Sequence, residues 1–181
     1  LLAGVATLGG ALLFMDLGLQ AVRGIGRGYF VVAGIMALCM PALPAAVWFK
    51  GAIAGRAASV LAGVGTAAVG VGAAMWLAAF VMLFSTPQAA FTQHLTPGGS
   101  LLMAIGMLFV GAGALLARRL DGFARFTPLA VGLYFPLQLI AQILFFLGGR
   151  DGSPGPNGLL LGAWGLVWIM AAVSVAQNRV R

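Results

Sequence analysis

Charge is what this sequence has least of. Three acidic residues, Asp16, Asp121 and Asp151, and ten basic ones are all that 181 residues carry, so 7% of the chain is charged, where soluble domains average about 25%. With 62% hydrophobic residues there are too few polar side chains to cover the exterior of a water-soluble fold, and soluble classes are excluded. Cysteine is nearly missing too: Cys39 alone rules out a disulfide within the chain and a multi-thiolate metal centre. The single histidine, His94, falls between apolar runs, so no histidine inside a run could ligate haem. Clustered titratable groups for acid-base or nucleophilic work are missing as well, and the chain reads as a non-enzyme. The formal charge of +7 does not point to nucleic acid, because the basic residues are scattered through short loops without an interleaved aromatic patch.

What is present is apolar length. Six runs, at residues 1–20, 29–49, 57–85, 99–117, 128–148 and 158–177, reach the roughly 20 residues that a helix needs to cross a bilayer. None alternates as a barrel strand does, and backbone groups in hydrocarbon must pair internally, so each run reads as a helix. The expected fold is all-α, a single transmembrane domain over 1–181 built as a bundle of six helices. The second run carries Pro41 and Pro44, each lacking an amide hydrogen and crowding the preceding turn. That segment is expected to be kinked, or alternatively to form a re-entrant hairpin.

The loops are asymmetric. Lys50, Arg56, Arg118, Arg119, Arg125, Arg179 and Arg181 fall on one side of a six-span chain, and Arg23, Arg27 and Arg150 on the other. The positive-inside rule then places both termini in the cytoplasm. No charged start followed by a small-residue cleavage site marks a cleavable signal peptide. Nine arginines against one lysine suit a bacterial gene, and the expected location is a bacterial cytoplasmic membrane.

Polar residues within the runs are candidate sites, since such groups in hydrocarbon either bond a neighbouring helix or line a ligand path. Tyr134, Gln138 and Gln142 recur every four residues on the fifth run beside Pro136, whose missing amide frees a carbonyl near residue 132 that Tyr or Gln could satisfy. Asp16 is followed by Gln20, Arg23 and Arg27 at helical spacing, either as an interfacial helix end or as a buried ion or proton site. Trp164 and Trp168, one turn apart, suit interfacial anchoring, core packing or a stacking pair for a flat ligand. Small residues mark packing faces: Gly99, Gly106 and Gly113 on the fourth run, Gly158 and Gly162 on the sixth, and Gly63, Ala67, Gly70 and Ala74 on the third.

These features suggest an accessory or scaffolding subunit of a larger membrane complex, touching lipid and either other subunits or further copies of itself. The alternative is a transporter or small-molecule binding component with its site between the second and fifth segments. No particular cofactor is indicated.

Overall fold

The computed structural model describes residues 1–21, 26–85, 92–148 and 157–178. Among them every regular element is helical and there is no strand. The helices are α1 (Leu2–Ala21), α2 (Gly26–Cys39), α3 (Ala42–Phe49), α4 (Arg56–Ser85), α5 (Thr92–Ala117), α6 (Thr127–Gly148) and α7 (Asn157–Gln177), with a short 3-10 turn at Gly122–Arg125 before α6. Three apolar stretches are long enough to cross a membrane: Val31–Phe49, Arg56–Met82 and His94–Ala117.

The second run breaks where its prolines require. Pro41 and Pro44 cannot donate to the carbonyls one turn back, so the chain tightens instead, with Met40 N bonding Ala37 O at 3.3 Å and Leu43 N bonding Met40 O at 3.4 Å. The segment nevertheless keeps its direction. Gly34 in α2 faces Leu77 in the second half of α4, and Trp48 in α3 bonds Thr66 in the first half. It is a broken helix running the length of α4, and it does not double back.

Neighbouring helices run antiparallel and close into a ring. In order they are α1, α7, α6, α5, α4 and the α2–α3 pair, which returns to α1. Glycine sets the closest approaches. A Cβ on Gly65 of α4 would stand 2.4 Å from the carbonyl oxygen of Gly106 in α5, and one on Gly165 of α7 would stand 2.5 Å from that of Gly10 in α1. Only a residue with no side chain lets two backbones meet this way, and in a bilayer such packing replaces the hydrophobic drive that lipid removes. Along α4 the buried contact line is Ala58, Ala62, Gly65, Val69, Gly72, Trp76 and Ala79, at alternating steps of four and three.

That line corrects the sequence reading of this helix. Gly63, Ala67, Gly70 and Ala74 are not its inner face. Gly70 would meet nothing with an added Cβ, Gly63 only the Trp48 ring, and Ala67 and Ala74 are exposed. The face chosen for α5 is the inner one, with Gly99 against Gly72, Gly106 against Gly65 and Gly113 against Ala58 and Ala62.

One end of the ring gathers the start of α1, the ends of α3, α5 and α7, and the starts of α4 and α6. Lys50, Arg56, Arg118, Arg119 and Arg125 all lie there. Lys50 Nζ donates to the carbonyl of Val175 at 2.6 Å and also to that of Ala176, placing a cation on the negative end of the α7 dipole. Asn178 pairs twice with the backbone of Asp121, at 3.0 and 3.1 Å. Lys50→Met keeps the aliphatic stem and removes the ammonium. It should lower stability by about 1–2 kcal/mol, measured as an earlier unfolding transition of the detergent-solubilised protein.

Candidate functional site

The interior is filled by large apolar side chains from every helix. Trp76, Trp164, Trp168, Leu13, Met40, Leu43, Met103 and Met107 are essentially inaccessible. Buried polar residues among those described are only Ser100, Thr127 and Gln138. Large apolar residues such as Val31, Leu38, Val60, Leu137 and Leu144 face outward instead, each more than half exposed. The described residues therefore form an apolar inside and an apolar perimeter, with Lys50, Arg56, Arg118, Arg119, Asp121 and Arg125 gathered at one end.

Three of the four tryptophans tie helices together through their indole N–H. Trp48 donates to Thr66 Oγ1 at 3.0 Å, and that hydroxyl passes its own proton to Ala62 O at 2.7 Å. Trp76 reaches Thr96 O at 2.8 Å and Ser100 Oγ at 3.1 Å on α5. Trp164 donates to Val131 O at 2.9 Å, within the turn of α6 that Pro136 loosens. The sequence pattern assigned that turn to Tyr134 or a glutamine. The carbonyl left without its helical donor by Pro136 is that of Gly132 and not of Val131, and the Tyr134 hydroxyl donates across to Leu160 O at 2.8 Å. Both bonds join α6 to α7, so each acts as helix-to-helix glue.

The aromatic rings form a continuous cluster. Trp164 meets Trp76 at 6.3 Å between centroids, Phe135 at 5.3 Å and Trp168 at 6.1 Å, with Trp76 in turn 6.2 Å from Phe80. Trp164 and Trp168 stand edge to face, 69° apart, and neither is exposed. Their faces are turned to neighbouring side chains and not to an interface or an open slot.

Gln138 lies on the inner face of α6 with Val131 and Phe135, only 6% exposed, and its Oε1 has no hydrogen-bond partner. The Trp168 N–H is likewise unpartnered. These two groups cannot serve one another. Measured from the Val131–Trp164 bond, Trp168 lies one turn toward the basic end and Gln138 two turns toward the opposite end, a separation of about 16 Å along the bundle. Gln142 stands on α6 and Asp16 on α1, but their side chains, with those of Gln20 and Arg27 and the whole of Arg23, fall outside the described residues.

The second and fifth segments do not touch as neighbours. The α2–α3 pair packs on α1 and α4, whereas α6 packs on α5 and α7. They face each other across the ring with the tryptophan and methionine core in the interior. Among the described residues, two grooves open at the surface. One, about 340 Å³, is lined by Val31, Gly34, Ile35, Leu38, Leu77 and Phe80 between α2 and α4. The other, about 400 Å³, lies at the basic end beside Phe49, Lys50 and Val175. Neither contains a residue that the sequence singled out as a ligand contact.

An all-helical chain with three membrane-long apolar helices is thus a protein of the membrane. No family model matches it, and no curated protein or solved structure shows significant similarity to it.

Proposed function

We propose that this is a non-catalytic polytopic protein serving as an accessory or scaffolding subunit of a larger complex in a bacterial cytoplasmic membrane. The observation that carries the reading is the contrast between its two surfaces. The described interior is packed with inaccessible aromatic and methionine side chains, and large apolar side chains such as Leu38 and Leu137 stand on the outer faces. A protein whose outward surface is its working surface suits assembly better than turnover.

Six spans fit this reading. Beyond the three long apolar stretches, α1, α6 and α7 hold 20, 22 and 21 residues, each as long as a hydrocarbon core of about 30 Å requires. The gathering of Lys50, Arg56, Arg118, Arg119 and Arg125 at one end supports a cytoplasmic position for that end and for both termini. Single cysteines introduced at Arg56 and at His94 in a Cys39→Ser chain test the orientation. An impermeant thiol reagent added to intact cells should label position 94 and not position 56, and the reverse pattern would overturn the orientation.

The subunit reading is tested by purification from native membranes in mild detergent with mass spectrometry of everything retained. Stoichiometric partner proteins are expected. A lone protein carrying a defined small molecule would sink the reading in favour of the transporter or binding alternative, which rests on one observation, the unpartnered buried amide oxygen of Gln138. Gln138→Leu separates the two. For a subunit with a closed interior, leucine removes an unsatisfied buried group and should leave assembly intact with stability raised by about 1 kcal/mol. Loss of a retained small molecule, with the fold preserved, would favour the binding alternative.

A further inference from the structure

Residues 118–126, RRLDGFARF, join α5 to α6 and divide into two faces. Leu120 and Ala124 are buried, as is Thr127 at the start of α6, and they set the 3-10 turn against α5, α6 and α7. Arg118, Arg119, Phe123, Arg125 and Phe126 are exposed, and the Arg125 guanidinium lies over the Phe126 ring, 4.5 Å from its centroid. The membrane-long stretch His94–Ala117 ends immediately before this segment. Its outer face therefore stands where hydrocarbon gives way to headgroups.

The segment is held in one shape. Asn178 bonds the Asp121 backbone twice, Thr127 Oγ1 donates to Ala124 O at 2.9 Å, and Phe126 N donates to Phe123 O at 3.0 Å. Arg118 has a φ of 52°, the one positive value outside glycine among the described residues. A left-handed residue just past a helix end is most cheaply a glycine, and the chain uses glycine for its other positive φ values, at Gly51, Gly55 and Gly122. Arginine at position 118 accepts the backbone strain and keeps a guanidinium that glycine would forgo.

We infer that this segment binds the headgroup phosphate of an anionic phospholipid, with Arg118, Arg119 and Arg125 as its cations and Phe123 and Phe126 against the first acyl carbons. Guanidinium suits the role because its planar fork bonds two phosphate oxygens at once. The segment carries three arginines against one acid, Asp121. The phenylalanines favour a lipid over a soluble phosphate, since rings 62% and 41% exposed offer apolar surface beside the cations. A membrane-boundary site uses both. An acidic protein would meet the same charges, but the segment is tied down at Asp121 and Thr127. It stays in the headgroup layer, where anionic lipid attracts clustered arginines.

Native mass spectrometry of the detergent-solubilised full chain, titrated with phosphatidylglycerol or phosphatidylcholine of identical acyl chains, tests the site. The anionic lipid should be retained roughly tenfold more than the zwitterionic one. Arg119→Gln with Arg125→Gln should remove most of that preference. Arg56→Gln takes away an exposed arginine at the same end but outside the segment, and should leave the preference unchanged. Arg118→Gly separates binding from structure, because it relieves the left-handed residue: the unfolding transition should rise while the preference falls. Equal retention of the two lipids would overturn the site. So would an equal loss from Arg56→Gln, which would reveal diffuse attraction to the whole basic end. If glycerol phosphate displaced the lipid at equal concentration, the site would be reading phosphate alone and the lipid assignment would fall. An acidic protein cross-linked to Phe123→Cys in native membranes, with no lipid preference, would replace the lipid by a partner chain and uphold the subunit reading.

Discussion

Gly65→Ala is expected to prevent stable folding, whereas Gly70→Ala, the same substitution on the same helix, is expected to be neutral or stabilising. The new Cβ at position 65 would lie 2.4 Å from Gly106 O, 2.8 Å from Val110 N and 2.9 Å from Phe109 Cβ. Two of those three atoms are backbone, and none can rotate away as the end of a flexible side chain could. The helices must separate by about 1 Å to admit it. Because the packing line is continuous, separation also loosens Gly72 against Gly99 and Ala58 against Gly113. Overpacking that a side chain can absorb costs about 1–3 kcal/mol, and a contact between two backbones sets the expected loss at or above the top of that range. At position 70 the methyl meets nothing within 4 Å, and alanine is the better helix former by up to about 1 kcal/mol. Denaturation of both variants in mixed micelles, beside the parent, measures the contrast. Equal behaviour would show that α4 and α5 do not pack along this line.

Trp164→Ala should be the most damaging single change outside the glycines. Trp164 has no exposed surface, contacts three other aromatic rings and donates to Val131 O. Truncation opens a cavity among Trp76, Phe135 and Trp168 and removes the indole bond that ties α7 to Val131 of α6. Removing a buried aromatic costs about 3–5 kcal/mol in water-soluble cores. Much of that persists in a bilayer, because the cavity term reflects lost packing and not transfer from water. Trp164→Phe separates the contributions: it keeps most of the packing and removes the N–H, for an expected loss of about 1–2 kcal/mol. If phenylalanine proved as harmful as alanine, the bond to Val131 and not the ring cluster would be the source of stability at that site.

The positions of the helices were legible because the solvent dictates them. Hydrocarbon leaves a chain no backbone choice but the helix, so apolar runs and helices coincide to within three residues, except that α5 begins seven residues before its run, at Thr92. Pro41 and Pro44 announced the break between α2 and α3 through a chemical deficiency, a missing donor, that no context repairs.

Which face of a helix turns inward was much less legible. On α4, small residues surround the whole helix, and both its faces repeat at the same period, so periodicity had no means of choosing Gly65 and Gly72 over Gly63 and Gly70. On α5, Gly99, Gly106 and Gly113 stand among Leu, Met and Phe, and the contrast identified the face. Gly10 and Gly165 left no signal, since the partner of each lies on a helix far along the chain. The candidate site shows the same division. Tyr134 and Gln138 were found as polar residues in an apolar run, but the partner each one faces depends on which helix stands beside α6. For Trp164, core packing, anchoring and stacking stood as equal alternatives because its N–H acceptor, Val131 O, is a backbone atom that any sequence supplies.

The α1–α7 contact at Gly10 and Gly165 joins helices separated by nearly the entire chain, and this bears on how the protein is made. At a synthesis rate of about 5–20 residues per second, α1 is made on the order of ten seconds before its partner exists. Until then the Gly10 notch is open to any helix that passes. In the meantime α1 has the α2–α3 pair to pack on, through Gly9 against Cys39, so the α1–α7 contact is the step that closes the ring.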